Sequence, residues 1–357
     1  MKILHVINSM TMGGAEILLT NSLSPGGLSE HAENHFAYFK FPTYLLHRLD
    51  KKVKVHFLNY KGITDIVRLV NDLNKIIHTN KIDIVHSHLN PASFYSELAC
   101  PSHIPHLHTM HNTYSTDLYP RPLLKFFERI LFLNKKNAKL IFLSEFTKKD
   151  FLSTVKFKGD SFVLNNFIDD SFFLHPQKKI TFSADKEIRI VAVGNFRTQK
   201  NYFYLLDIFR KLKNRKIHLD IYGDGNIKKL QETIINFKID VLLKGPEKNI
   251  NFILKDYDLF IMSSKNEGFP LSVFEAMAAG LPLLLSDIDP LKSIVKENAI
   301  YFPLNDSETA ANTIIDISEN KINVSEMAAK AKQYANQTVR KDIYIKKLIN
   351  IYKKLIE

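Results

Sequence analysis

The chain of 357 residues holds one cysteine, Cys100. A single thiol closes no internal disulfide, so packing alone must hold the fold, and a reducing compartment is the natural setting. No uninterrupted apolar run reaches the roughly 20 residues that a membrane-spanning helix requires. The apolar part of MKILHVINSM is too short for a signal peptide and reads as a first strand. The expectation is a cytoplasmic protein, soluble or peripheral at the inner face of the membrane. Helix-turn-helix, zinc-ligand and RNA-recognition patterns are all missing, so no nucleic-acid partner is expected, even with a formal charge of +12. That charge suits a diphosphate ligand or an anionic membrane surface. The spacing G-x-G-x-x-G is missing as well, which removes the dinucleotide fingerprint.

What is present fits a packed α/β protein. Hydrophobic residues make up 45% and aromatics 11% of the chain, and its length exceeds one modest core, so two domains are expected. The organising stretch is LFIMSSKNEGFPLSVFEAMAAGLPLLLSD, Leu259 to Asp287. It reads as a strand at Leu259–Met262, a loop, a helix over Ser272–Ala279 stopped by Gly280 and Pro282, and a strand at Leu283–Leu285. The first-turn amides near Leu271 to Phe274 lack intrahelical acceptors and, with the helix dipole, attract a phosphate. Gly268 permits close approach to the backbone, and Pro270 stiffens the turn. Glu267 and Glu275, eight residues apart, sit beside that anion site. A phosphate repels carboxylates, so these two suit hydroxyl partners. Phosphate with hydroxyls suggests a sugar nucleotide.

The run E-G-F-P-L-S-V-F-E followed by A-M-A-A-G-L-P resembles the E-x7-E signature of retaining glycosyltransferases of family four, glycosyl transferases group 1. The resemblance implies the GT-B fold: two Rossmann-like domains facing across a cleft, with the C-terminal helix crossing back to the first. On that basis residues 1–172 form an acceptor domain, 187–338 a nucleotide-sugar donor domain, and 339–357 the returning helix. The resemblance is dense over 188–304 and sparse over 1–170.

Along the chain, residues 2–7 form a buried strand that runs through NSMTMGGAE into a helix from Ala15 to Leu23. Gly13 and Gly14 permit close backbone approach, and the Gly-Gly-Ala-Glu run resembles the family's donor-side loop, whose amides face the diphosphate. A plain tight turn is the other reading. Strands at His35–Phe39, Val53–Leu58 and Ile82–His86 alternate with a helix over Thr64–His78, which implies a parallel sheet. His86 reads as satisfying backbone groups at its strand's end. The region HIPHLHTMHNTY holds His103, His106, His108 and His111. On a strand His106 and His108 share one face without the other two, and no carboxylate or cysteine partner is evident, so no metal site is expected. His111 resembles the family's active-site histidine near the donor sugar; a loop histidine capping a turn is the alternative.

Residues 120–135 form a basic amphipathic helix. It fits either a membrane interface or, more commonly, a core-facing helix with a solvated face. Ser144–Glu145 resemble the family's Ser-Glu turn. Asn166 and Asp169 resemble its Asn-Gly-x-Asp segment, with Phe167 in place of glycine. An irregular linker over 170–186 leads to the second half. There, Arg197 and Lys200 follow the strand Ile188–Val193 and suit a diphosphate. Lys200 maps onto the family lysine. The family arginine is missing at Asn195, and whether Arg197 replaces it stays open. Asp287-Ile288-Asp289 reads as a loop turned by Pro290, not a metal-binding D-x-D.

The implied activity moves a sugar from a nucleoside-diphosphate sugar to a glycan or lipid-linked acceptor, with retention, for a cell-surface polysaccharide. Lys200, Arg197 and the helix amides after Pro270 stabilise the diphosphate, and Gly268, Phe269, Pro270, Leu271 and Ser272 line the donor. Glu275 holds ribose hydroxyls, Glu267 contacts the donor sugar, and no metal or other cofactor is required. The alternatives are another GT-B enzyme, such as a sugar-nucleotide epimerase, and a non-catalytic sugar-nucleotide or glycan-binding relative.

Overall fold

The computed structural model describes residues 1–11, 13–111, 113–114, 137–174, 176, 180–182 and 186–357. The basic helix expected over 120–135 lies outside these residues. The chain divides into two compact units, residues 1–167 with 341–357, and residues 168–340.

The first unit carries a parallel sheet of seven strands: β1 (Lys2–Ile7), β2 (Glu33–Tyr38), β3 (Lys54–Phe57), β4 (Ile84–His88), β5 (His106–Met110), β6 (Ala138–Phe142) and β7 (Ser161–Val163). Their spatial order is β3-β2-β1-β4-β5-β6-β7. Ile3, Leu4, Val6 and Ile7 of β1 are fully buried, as a strand covered on both faces requires. The helices are α1 (Gly14–Ser22), α2 (Ile66–Asn80), α3 (Ala92–Ala99) and α4 (Glu145–Thr154). Ser144 caps α4: its hydroxyl accepts from the Thr147 amide, and the Thr147 hydroxyl closes the box.

The second unit repeats the pattern with β8 (Ile188–Val193), β9 (Ile217–Tyr222), β10 (Val241–Gly245), β11 (Leu259–Met262), β12 (Leu283–Ser286) and β13 (Ile300–Phe302). The order is β10-β9-β8-β11-β12-β13, again all parallel. Its helices are α5 (Tyr202–Lys211), α6 (Lys228–Phe237), α7 (Ile250–Ile253), α8 (Leu271–Ala278), α9 (Asp289–Val295), α10 (Ser307–Ser318) and α11 (Ser325–Thr338). In both sheets the chain reverses direction beside the first strand, at β1/β4 and at β8/β11. Ligands of doubly wound sheets bind at the carboxyl ends of the strands flanking such a switch point.

The last helix, α12 (Lys341–Ile356), belongs to the first unit. Tyr344, Ile345, Leu348, Ile349, Ile351 and Tyr352 pack into one cluster with Ile3 and Ile7 of β1. The heptad-like spacing of these residues gives α12 one apolar stripe, and burial of that stripe holds the helix on the sheet. No helix among the described residues is long and apolar enough to cross a membrane.

Two sequence expectations change here. The loop read over Asp287–Asp289 is only Asp287 and Ile288: Asp289–Val295 is helical, with Pro290 in the first turn, where its missing N–H costs nothing. Strand β4 runs to His88, which carries His86 into the sheet interior rather than its end.

Candidate active site

Helix α8 is almost wholly buried: Val273, Phe274, Ala276, Met277 and Ala278 all face protein. Leu271, Ser272 and Glu275 keep some exposure. Their spacing of three and four residues places Ser272 and Glu275 on one face, a turn apart. The small side chains of EAMAAG let the helix lie close to its neighbours. Gly280, at φ +81°, ends it: the Gly280 and Leu281 amides donate to the Met277 and Ala276 carbonyls, a Schellman cap that a Cβ would strain.

The start of α8 is less open than the sequence suggests. The Leu271 amide donates to the Phe269 carbonyl at 3.1 Å, and the Val273 and Phe274 amides donate to the Pro270 carbonyl at 3.1 and 3.4 Å. Pro270 bends so that its oxygen folds over the first turn. In this turn the amides of Gly268, Phe269 and Ser272 have no acceptor among the described residues. The Phe269 ring is buried and stacked on Phe274 with centroids 4.9 Å apart, so this residue offers its backbone, not its side chain.

Lys200 follows β8 and Glu267 follows β11, neighbouring strands at the switch point. The two loops are sewn together. The Ser263 hydroxyl donates to the Lys200 and Asn201 carbonyls, the Lys265 amide to the Gln199 carbonyl at 2.8 Å, and the Gln199 amide group to the Asn266 carbonyl. The Lys200 ammonium then donates to Glu267 Oε1 at 2.7 Å, with side-chain exposures of 18% and 7%. Lys200 lies against Gly194, where a Cβ would come within 3.0 Å of both Lys200 Cε and the Tyr202 hydroxyl. Tyr202 donates to the Gly194 carbonyl at 2.5 Å. Its phenol is pushed upward by burial and by the Glu267 charge.

Burial pushes the Glu275 carboxyl up to about 7, the exposed Asp169 carboxylate adds to that, and the Lys200 charge opposes it. Lys200, Glu267, Glu275 and Asp169 therefore act in one electrostatic neighbourhood. Arg197 is exposed, and its guanidinium has no ion-pair or hydrogen-bond partner among the described residues. Asn195 holds the neighbouring loop, accepting from the Asp224 amide at 3.3 Å.

In the first unit, α1 begins with Gly13 as its cap, with no side chain capping it. The Glu16 carboxylate curls back over this start: a Cβ on Gly13 would lie 2.3 Å from Glu16 Oε2, and the Thr11 hydroxyl donates to Glu16 Oε1 at 2.6 Å. A carboxylate thus already stands at the positive end of α1 where the sequence suggested a phosphate. After β4 and β5, His88 Nδ1 and His111 Nε2 are 3.4 Å apart, and burial lowers the His111 pKa to about 4. His86 does not bond the backbone: its two ring nitrogens meet the hydroxyls of Tyr352 at 2.6 Å and Thr109 at 2.8 Å. His106 and His108 do share a face, both reaching the Ser87 hydroxyl, but a carboxylate is present after all, since Glu97 meets His106 Nδ1.

Two family models cover most of the chain. Glycosyl transferases group 1 matches residues 175–338 and glycosyltransferase family 4 matches residues 19–172. The chain belongs to the group 1 glycosyltransferases. Among curated relatives, the Escherichia coli UDP-Gal:alpha-D-GlcNAc-diphosphoundecaprenol alpha-1,3-galactosyltransferase is 26% identical over 339 residues, covering 85% of this chain and 86% of its own. Among solved structures, a glycosyltransferase from Rickettsia africae superposes with a TM-score of 0.82 at 19% identity, over 100% of this chain and 98% of its own. Anabaena Alr3699/HepE in complex with UDP and glucose gives 0.80 at 18%, over 99% and 100%. These structures share the GT-B fold with this glycosyltransferase.

Of the residues singled out in the sequence of this glycosyltransferase, Lys200, Glu267, Gly268, Phe269, Pro270, Leu271, Ser272 and Glu275 gather in the second unit, with Arg197 on the same loop as Lys200. Gly13, Gly14 and His111 lie in the first unit. Sequence reasoning missed Gly194, Tyr202 and Asp169 as parts of the second-unit site. Gly194 and Tyr202 flank the N-F-R-T-Q-K run already read as the phosphate loop, so their proximity to Lys200 was the available signal. Asp169 was marked in the sequence by its resemblance to the family's Asn-Gly-x-Asp segment, but its place beside Glu275 was not, because only tertiary folding brings the two together.

Proposed function

We propose that this glycosyltransferase transfers a sugar from a nucleoside-diphosphate sugar to a glycan or lipid-linked acceptor, with retention of anomeric configuration, in cell-surface polysaccharide assembly. The observation that carries the reading is the gathering of Lys200, Glu267, Glu275 and the bare amides of Gly268, Phe269 and Ser272 at the β8/β11 switch point. In this reading Lys200, Arg197 and the amides hold the diphosphate. Glu275 accepts from the ribose hydroxyls and Glu267 from those of the donor sugar. His111, Gly13 and Gly14 belong to the first unit and keep only the roles that the family resemblance implies. The E. coli relative's name and the Anabaena structure's bound UDP support uridine as the first base to test.

The bond between the anomeric carbon and the β-phosphate oxygen breaks, and a bond from the acceptor oxygen to the same face of that carbon forms. The acceptor's proton passes to the leaving phosphate. Negative charge grows on the diphosphate, and Lys200 with the oriented amides stabilises it without a metal ion. Preorganised donors of this kind are typically worth about 100- to 1,000-fold each in rate.

Peripheral contact with an anionic membrane is part of the proposal. In the first unit Phe41 and Tyr44 are 66% and 63% exposed, and Phe41 lies against the half-exposed Phe57 on β3. Exposed Lys40 and Lys51 flank them. Apolar rings amid cations suit a bilayer interface with acidic lipid.

The test is incubation with UDP-glucose or UDP-galactose and a panel of lipid-linked and oligosaccharide acceptors, followed by NMR of the new anomeric proton. The donor's own anomeric configuration is expected in the product. An inverted product would remove the retaining mechanism. Conversion of the donor to its epimer with no acceptor present would replace transfer with epimerisation.

A further inference from the structure

Strands β1 and β4 lay three imidazoles side by side in the interior of the first unit. His5, His86 and His88 have relative exposures of 0%, 0% and 2%. One ring nitrogen from each lies within 4.8 Å of the other two. The parallel register explains the placement: His5 pairs with His86 across β1/β4, and His88 follows two residues on, projecting to the same face. The His86 and His88 rings are 4.2 Å apart, and the His5 and His88 rings stack at 6.1 Å.

The hydrogen bonds around the cluster decide where its protons sit. The Asn34 side-chain nitrogen donates to the Ala32 carbonyl at 2.8 Å, which turns the Asn34 oxygen toward His5 Nε2 at 3.1 Å. That oxygen can only accept, so the proton is on His5 Nε2 and Nδ1 is a bare lone pair. Among the described residues no donor reaches His5 Nδ1, and His88 Nε2 is buried with no partner either. His86 is flanked by two hydroxyls, Tyr352 and Thr109, and a hydroxyl can donate or accept. Either can take the proton from one His86 nitrogen while the other nitrogen coordinates. His5 Nδ1 is an orphaned lone pair, and His88 Nε2 is a second one when the His88 proton sits on Nδ1; both are costly in a packed interior unless something electron-poor fills the space between them.

We propose that His5, His86 and His88 form a structural site for a divalent transition metal, zinc above others, inside the first unit. Imidazole nitrogen suits zinc, and a water completes a four-coordinate shell. In a four-coordinate shell with zinc–nitrogen bonds of about 2.0–2.1 Å the nitrogens stand about 3.4 Å apart, so ring nitrogens that now lie within 4.8 Å of one another close by up to about 1.4 Å. His86 gives up one of its two hydroxyl bonds to bind the ion; Asn34 and the hydroxyl that keeps its His86 bond, Tyr352 or Thr109, then serve as the outer partners that fix ring tautomer and orientation. The ion ties β1 to β4. Metal on His88 Nε2 also leaves the proton on Nδ1, which donates toward His111 Nε2. The site touches His111 through His88 and includes none of the second-unit residues assigned to the donor, and its test does not depend on transfer activity. A buried water donating to both lone pairs is the rival occupant.

The experiment is elemental analysis of the untagged full chain, purified without added metal or chelator. About one zinc per chain is expected, falling to background in His5→Phe and His88→Leu. Because those variants may unfold, cobalt is added in parallel to chelator-treated wild-type protein. Visible ligand-field absorption of a four-coordinate nitrogen site, displaced by zinc with a rise in Tm, is the supporting result. Wild-type protein with only background metal, no cobalt absorption and no zinc-dependent Tm overturns the proposal and leaves the buried water.

Discussion

The Lys200 ammonium donates to a Glu267 carboxylate oxygen at 2.7 Å, joining the loops that follow two adjacent strands. The two groups assigned to different parts of a sugar nucleotide are therefore preorganised against each other. Little of either side chain is exposed, so removing one partner strands the other. Lys200→Met or Glu267→Gln alone is expected to lower stability by about 1–3 kcal/mol, between the values for exposed and buried pairs. The double variant should lose less than the sum, because neither charge is then left alone. Urea denaturation of the four proteins measures this; additive losses would mean that the pair is not coupled.

Glu275 supplies a pH dependence. Its carboxyl titrates at about 7 in the folded chain against 4.5 when unperturbed. The folded chain holds this proton more tightly than the unfolded chain. This group's contribution to stability is therefore full below about 4.5, falls as pH rises to about 7, and is constant above that. Glu275→Gln removes the slope. Binding runs the other way: two ribose hydroxyls need an ionised acceptor, so affinity for UDP-glucose should rise as pH passes through about 7. UDP-glucose is the right probe because its esterified diphosphate does not titrate there. A pH-independent affinity in the wild type would remove Glu275 from the ribose.

Gly194 gives a steric test. A methyl group there would press within 3.0 Å of Lys200 Cε and the Tyr202 hydroxyl. Gly194→Ala should displace the ammonium and weaken donor binding by about 1–2 kcal/mol, roughly tenfold. Calorimetric titration with UDP-glucose checks it; unchanged affinity would mean that Lys200 does not depend on Gly194 for its position.

Much of this was legible in the chain, and the reasons differ by residue. Strands β8 and β11 and the helix after Pro270 announce themselves because apolar runs, proline and Gly280 act locally. Glu267, Glu275 and Lys200 were legible through their spacing. The satisfied amides at Leu271, Val273 and Phe274 were not, because the Pro270 carbonyl folds back over the turn and sequence does not show that direction. The Glu16 carboxylate over Gly13 is a local fold-back set by the side chain's rotamer, which the sequence does not show, and the Asp169 charge beside Glu275 is a tertiary fact. The histidine cluster was missed because His5 is distant in sequence from His86 and His88 and meets them only through the parallel register of β1 with β4.

The central claim is that the second unit grips a nucleoside diphosphate with Lys200 and the amides at Gly268, Phe269 and Ser272. Calorimetric titration of UDP into the wild type and into Lys200→Met tests it most directly. Saturable one-to-one binding, weakened by about 100-fold or more in a folded Lys200→Met, is the predicted result. Equal affinity in the two proteins, or no binding of UDP, GDP or ADP by the wild type, would contradict it.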